Sequence, residues 1–336
     1  MKSIVVLRPG SLTIEDRYIP RIEREDEVLI KVKSAGICGS DLHIYHGRSP
    51  VATYPRVIGH EVVGEVVEKG KSVTKVKEGD SVVVEPIFYC GECYACRMRR
   101  PNVCERLEVF GVHRDGGFQE YIVLPERNVY VFSRELDWNE AVLIEPFTIA
   151  AEVKGRGMIR KGDNVFIIGA GPIGLCLLQY LKLFDVNCGI CDLIKTRLKL
   201  AEDIGADFVI DSKHYEIEEV LKYFSKGANV VIDAVGLPET FEKAVKIASP
   251  AGRVIVLGFD NRPSMISQVS ITLKGLTILG SRLQAYKFSK VIELFNSGRL
   301  RPKRLITHVF SFKEVLEAFN LIENYPEKVC KVVLNF

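Results

Sequence analysis

Short stretches in which apolar and polar residues alternate, broken by glycine, fill the first third of the chain. "EVLIKVKSAGICGSD" alternates and then turns, and "EVVGEVVEKG" and "EGDSVVVEP" follow in the same manner. A period of two turns one face of each stretch to a core, so these are predicted strands, with glycines marking bulges or bends as in a small barrel. Near residue 147 the rhythm changes. "NVFIIGAGPIGLCLLQYLKLF" is a buried strand, a glycine turn and a helix, and "NCGICDL" is a second strand. Strand and helix then alternate through "ADFVID", "NVVIDAVG", "ETFEKAVKIAS", "GRVIVLGF" and "LTILGSR", which predicts a parallel, doubly wound α/β sheet. The tail "SKVIELFNSGRLRPKRLITHVFSFKEVLEAFNLIEN" returns to helices with a strand between them.

Composition narrows the function classes. With 336 residues, 47% of them hydrophobic, the chain can bury ample core, and its length favours two domains. Its 46 basic and 43 acidic side chains leave a net charge of +3, too weak a field to gather nucleic acid or a membrane surface. No apolar run reaches the roughly 20 residues of a membrane span, and "MKSIVVLRPG" lacks the apolar core of a signal peptide. The expectation is a cytoplasmic protein acting on a small molecule. Thiols stay reduced in that compartment, so four cysteines bunched between residues 90 and 104 point to metal before disulfide.

That bunch is Cys90, Cys93, Cys96 and Cys104, in "YCGECYACRMRRPNVCERL". Two residues between successive thiolates let a tight loop aim the first three at one point, and Cys104 closes a tetrahedral shell around zinc. Four thiolates leave no open position, so this zinc would hold the loop together rather than catalyse. A ferredoxin-type run places its fourth cysteine after three residues, whereas seven intervene here.

Gly169, Gly171 and Gly174 form "GAGPIG", with Pro172 and Ile173 between the last two glycines. The motif follows a predicted strand and opens a helix, the setting in which backbone amides and a helix N-terminus meet a pyrophosphate. Asp192 comes 18 residues after Gly174, at the end of the next strand, where a carboxylate can accept from an adenosine ribose hydroxyl and would repel a 2′-phosphate. The cofactor expected is therefore NAD, with Arg197 a further candidate contact.

A third group is less specific. "GHEVVGEV" sets His60 beside Glu61, and "GICGSDLH" supplies Cys38, Ser40, Asp41 and His43. A thiolate and an imidazole make half of a catalytic zinc site, which needs a third protein ligand and an open fourth position. Cys38 as a small buried hydrophobe and His60 as a satisfied core histidine account for the same residues, and spacing does not decide between them.

Taken together, "GICGSDLH", "GHEVVGEV", the four-cysteine loop, "GGFQEY", "GAGPIG" and "IGAD" resemble, in order and over essentially the whole chain, the zinc-dependent medium-chain alcohol and polyol dehydrogenases. The resemblance implies a β-rich GroES-like catalytic domain, residues 1–146 and 287–336, with a Rossmann domain, residues 147–286, inserted before the return segment. It implies two zinc ions per chain and a homodimer or homotetramer. Cys38 and His60 match the catalytic zinc ligands. Glu61 matches a glutamate that reaches the metal directly or through water, and Glu145 in "LIEPFTIAA" aligns with the third ligand of the polyol-type branch. A bound hydroxyl would lose its proton through Ser40 and then His43, while the adjacent carbon gives hydride to the nicotinamide.

Within that branch the segments "YPRVIGHE", "GVHRDGGFQEY", "IEPFTIAA" and "SRLQAYKF" are most similar to bacterial dehydrogenases of sugar acids such as L-gulonate or L-galactonate. His113, Arg114 and Arg282 are the candidate substrate contacts, since a guanidinium can grip a carboxylate with two prongs. Sorbitol and L-threonine dehydrogenases share much of the pattern. A zinc-free quinone reductase would lack Cys38, His60 and Glu145, and a non-catalytic NAD or zinc sensor would have no use for an open metal site.

Overall fold

The alternating run of the first third becomes the strand Glu27–Gly36, the axis of one of two compact units in the computed structural model, which describes residues 1–213 and 217–336. That unit comprises Met1–Glu145 and Ala285–Phe336; the other is Pro146–Gln284.

In the first unit, Glu27–Gly36 pairs antiparallel along one edge with Glu61–Lys69. Along its other edge it pairs first with Tyr121–Pro125 and then with the C-terminal strand Lys331–Asn335. Gly36 thereby faces both Glu61 and Val333. The ladder to Glu61–Lys69 shifts register between Val32 and Ser34, opposite Val63 and Gly64. A Cβ on Gly64 would strike the Lys31 carbonyl, so glycine permits the bulge that bends the strand. Ile30, Val32, Val62, Val66, Val82, Val84 and Phe118 fill the core on this sheet. Gly59 has φ +91°, and a Cβ there would run into the Phe118 ring. Only glycine lets the chain turn there, and the turn delivers His60 and Glu61 to the head of their strand.

Among the described residues, the second unit holds six parallel strands in the spatial order Phe208–Asp211, Asn187–Asp192, Asn164–Ile168, Ala228–Asp233, Ala248–Val256, Thr277–Gly280. In chain order this is 3-2-1-4-5-6, the doubly wound arrangement, and the order reverses beside Asn164–Ile168. Val165, Phe166, Ile167 and Ile168 are all buried, as a central parallel strand covered on both faces requires. The helix Pro172–Leu181 follows at once, with proline at its first position, where the missing N–H costs nothing. A Cβ on Gly174 would collide with the Gly169 carbonyl, so this glycine sets how closely helix and strand pack. No helix among the described residues is long and apolar enough to cross a membrane.

The two glycines flanking Pro172 and Ile173 should therefore behave differently in urea denaturation. Gly174→Ala forces helix and strand apart and is expected to cost about 1–3 kcal/mol. Gly171 has φ −69° and nothing within 4 Å of an added Cβ. Gly171→Ala should stay within about 0.5 kcal/mol of the natural chain, a weaker N-cap being offset by a less flexible unfolded state.

Candidate functional site

Two neighbouring strand ends and the turn beyond one of them converge in the first unit. Cys38 caps the helix Gly39–Tyr45 just past the strand Glu27–Gly36, and His60 and Glu61 stand at the start of the adjacent strand. The Cys38 sulfur, a His60 ring nitrogen and a Glu61 carboxylate oxygen all lie within 4.8 Å of one another. Asp41, fully buried, ties the two segments together. One of its oxygens accepts from the Cys38 N–H at 2.9 Å and the other from the Gly59 N–H at 3.0 Å, and the latter oxygen lies 3.9 Å from His60 Nδ1.

The electrostatics of this cluster are those of a cation site. Burial alone would lower the pKa of His60, but the Cys38 sulfur, Asp41 and Glu145 lift it well above its ordinary value. Burial pushes Glu145 up to about 7, with His60 pulling the other way. Asp41 is raised by burial too. His60 Nδ1 is buried without a hydrogen-bond partner. One half-buried sulfur, one buried imidazole and one buried carboxylate, convergent and in excess negative potential, fit a zinc held by three protein ligands with a position left open. The sequence had given the third place to Glu145, with Glu61 direct or through water. The carboxylate that converges with Cys38 and His60 is Glu61, and Glu145 is buried within their electrostatic reach.

The four-cysteine loop forms a second cluster. Cys90 and Cys96 sulfurs are 3.9 Å apart, Cys93 and Cys104 3.8 Å, and Cys104 and Cys90 3.5 Å. A disulfide holds sulfurs at about 2 Å, whereas zinc–sulfur bonds of ~2.3 Å make a tetrahedron with edges of about 3.8 Å. The spacing fits the tetrahedron. Backbone N–H groups of Glu92 and Cys93 donate to Cys90 Sγ at 3.5 and 3.3 Å and bring its pKa down to about 6, which favours the thiolate a metal needs.

In the second unit the turn Gly169–Gly171 links the central strand to the helix Pro172–Leu181, at the point where strand order reverses. Asp192 ends the neighbouring strand, and its carboxylate accepts from the Ala170 N–H at 2.7 Å and the Ile194 N–H at 2.9 Å. It thus pins the glycine turn to the next strand while keeping lone pairs for a ligand hydroxyl. Arg197 is half-buried in the first turn of the following helix, Lys195–Ile204.

Comparison with known proteins joins these features. Residues 24–134 match the alcohol dehydrogenase GroES-like domain, and residues 172–297 match the zinc-binding dehydrogenase family. The starvation-sensing protein RspB of Escherichia coli K12 is 44% identical over 100% of this chain and 99% of its own length. The chain belongs to the zinc-type alcohol dehydrogenase family. A crystal structure of the RspB alcohol dehydrogenase from E. coli CFT073 with NADH matches this dehydrogenase with a TM-score of 0.95 at 43% identity, covering 100% and 99% of the two chains. L-galactonate-5-dehydrogenase of E. coli K12 is 34% identical over 100% of this chain and 99% of its own. L-threonine 3-dehydrogenase of Pyrococcus furiosus is 37% identical over 88% of each.

The remaining candidates are distributed unevenly in the dehydrogenase. Ser40 Oγ is buried and meets no hydrogen-bond partner among the described residues, while His43, three residues on in the same helix, is exposed. His113 Nδ1 accepts from the Val109 N–H at 3.1 Å, which ties the ring to its own loop. Arg114 pairs with Glu108 at 3.5 Å and lies over the Phe88 ring. Arg282, in the second unit, is exposed and lies over the Phe259 ring. Sequence reading named Asp41 without giving it a task and passed over Lys331, which is 2% exposed and ion-paired with Glu61. A lysine inside the apolar run "VCKVVLNF" was the available signal.

The glycine turn allows a test that separates binding from folding. Gly171→Ala, expected to be harmless to stability, should weaken NADH binding at least about tenfold in a fluorescence titration, because its methyl group stands where backbone and pyrophosphate must approach. Unchanged affinity would mean that the dinucleotide does not lie over this turn.

Proposed function

We propose that this dehydrogenase oxidises a secondary hydroxyl of a sugar acid, a hexonate such as L-gulonate or L-galactonate, to the keto acid, with NAD as hydride acceptor. The observation that carries the reading is the metal cluster: a single thiolate, with Glu61 as the convergent carboxylate and Glu145 close enough to feel it. A carboxylate in place of a second thiolate leaves a metal more electropositive and suits it to oxygen-rich ligands. The full-length likeness to L-galactonate-5-dehydrogenase supports the same substrate class.

Each residue has a task in this reading. Cys38, His60 and Glu61 would hold the catalytic zinc, and Cys90, Cys93, Cys96 and Cys104 the structural one. When bound, zinc supplies Lewis-acid polarisation of the substrate hydroxyl, and the nicotinamide supplies the hydride acceptor. Asp41 fixes the Cys38 and Gly59 backbones and so keeps thiolate and imidazole in register. The unpartnered Ser40 hydroxyl takes the proton that the substrate loses, and exposed His43 passes it to solvent. Gly169, Gly171, Pro172, Ile173 and Gly174 present backbone to the pyrophosphate. Asp192 accepts from the adenosine ribose and disfavours the phosphate of NADP. NADH bound to the RspB structure supports that preference.

Arg114, which pairs with Glu108, and Arg282, which lies over the Phe259 ring, are the two candidates for the substrate carboxylate, and Arg282 is the one tested below. L-threonine also carries a carboxylate beside a secondary alcohol, and the likeness to L-threonine 3-dehydrogenase keeps it as the second reading.

Formation of NADH by the purified protein, measured with L-gulonate, L-galactonate, sorbitol and L-threonine, tests the assignment. The hexonates should give the highest kcat/KM, and Arg282→Ala should raise their KM by an amount worth about 2 kcal/mol while leaving sorbitol nearly untouched. Faster turnover of sorbitol or L-threonine would refute the sugar-acid reading and leave the metal and NAD assignments standing.

A further inference from the structure

The chain leaves the first unit after Glu145 and re-enters it at Ala285. Tyr286, the second residue of the returning stretch, has φ +59°. Phe288, two residues on, is fully buried, and its ring stacks on that of Tyr130 at 5.0 Å. A tyrosine gains nothing from a left-handed backbone, which presses its Cβ toward the following carbonyl. The same conformation recurs at Arg99, φ +58°, inside the four-cysteine loop. Arg99 stands two residues past the short helix Tyr94–Arg97, and its N–H donates to the Cys96 carbonyl at 2.9 Å. Glycine or asparagine is the usual residue at such a helix end.

Two of the six non-glycine residues with positive φ among those described are in contact with each other: the Arg99 guanidinium lies over the Tyr286 ring, 6.0 Å from its centroid. Tyr89, which immediately precedes Cys90, is within electrostatic reach of Tyr286, and the Arg127 guanidinium lies over the Tyr89 ring at 5.4 Å. Tyr286 is thus approached from two points of the cysteine loop, one just before its first thiol and one between its third and fourth. Strained backbone persists where the surrounding contacts over-determine it. Here the contact that does so joins the two strained residues.

We propose that the cysteine loop is a clasp on the returning chain. Closed around zinc, the loop holds Tyr89 and Arg99 at a fixed separation and keeps Tyr286 in its left-handed conformation; without the metal its two points part and residues 285–287 are released. The inference rests on the reading that Cys90, Cys93, Cys96 and Cys104 hold zinc, and it gives that metal a task beyond stiffening its own loop. A loop that served only itself would have no use for arginine at a left-handed position, because the guanidinium is placed on Tyr286 and not on a thiolate.

Hydrogen–deuterium exchange of the full-length protein, read by mass spectrometry on peptides that cover residues 284–288, tests the clasp. Arg99→Asn removes the guanidinium and leaves a residue that tolerates the left-handed backbone. Exchange of the segment should quicken about threefold, the factor an exposed cation–π contact is worth, while the strand Glu27–Gly36 exchanges as before. Cys104→Ser, which takes a ligand from the loop zinc, should quicken the same segment at least as much, because Tyr89 is then released together with Arg99. An unchanged segment in Arg99→Asn, or a rise shared equally by Glu27–Gly36, overturns the proposal. Should Cys104→Ser fail to fold, Arg99→Asn decides alone. Failure of the underlying reading looks different: Cys104→Ser would then carry as much zinc as the natural chain, and the Arg99→Asn result would still show whether the loop holds Tyr286.

Discussion

Taking a thiolate, an imidazole and three carboxylates out of water in one place costs several kcal/mol for each ion unless positive charge goes with them. His60, Glu61, Asp41 and Glu145 stand in that position beside half-buried Cys38; burial lifts the pKa values of Asp41 and Glu145, and the negative charge around His60 lifts its pKa against the effect of burial. Lys331 answers part of it from the C-terminal strand. A dication would answer the rest. Much else in the first unit follows from keeping this cluster together: the glycine turn at Gly59, the gap at Gly36 and the buried carboxylate of Asp41 that bonds to both segments.

The two units solve different problems with the same residue type. In the first, glycine makes room for charged side chains to meet, as at Gly36, or for the chain to turn under an aromatic ring, as at Gly59. In the second, Gly174 lets a helix close on a strand, and Gly171, with empty space before it, keeps backbone accessible to a ligand. Asp192 holds that turn through the Ala170 amide and, in the proposed function, also takes the ribose. In the proposed function zinc chemistry and dinucleotide binding thus rest on separate local devices, one in each unit, the second unit being inserted in the chain of the first.

What could be read from the sequence was what is local. The spacing of Cys90, Cys93 and Cys96 fixes where thiolates can aim, and the "GAGPIG" turn between an apolar strand and a helix fixes a backbone shape. The doubly wound sheet followed from its rhythm of alternating strand and helix. The cluster of Cys38, His60 and Glu61 was legible only through family likeness, because the three come together through strand pairing that no spacing encodes. Family likeness put Glu145 before Glu61 as third ligand, and it is the turn at Gly59, not any spacing, that brings the Glu61 carboxylate to the thiolate. Lys331 was invisible for the same reason. In one dimension it is a lysine near the end of an apolar strand; its partner is set by a register across Gly36.

Metal analysis of the purified chain beside Cys38→Ser bears most directly on the claim that the buried cluster of the first unit is a zinc site distinct from the cysteine loop. The expected result is two zinc ions per natural chain and one in the variant, with the cysteine-loop zinc retained and the fold intact. Two zinc ions in both proteins, or a single one in both, would contradict it.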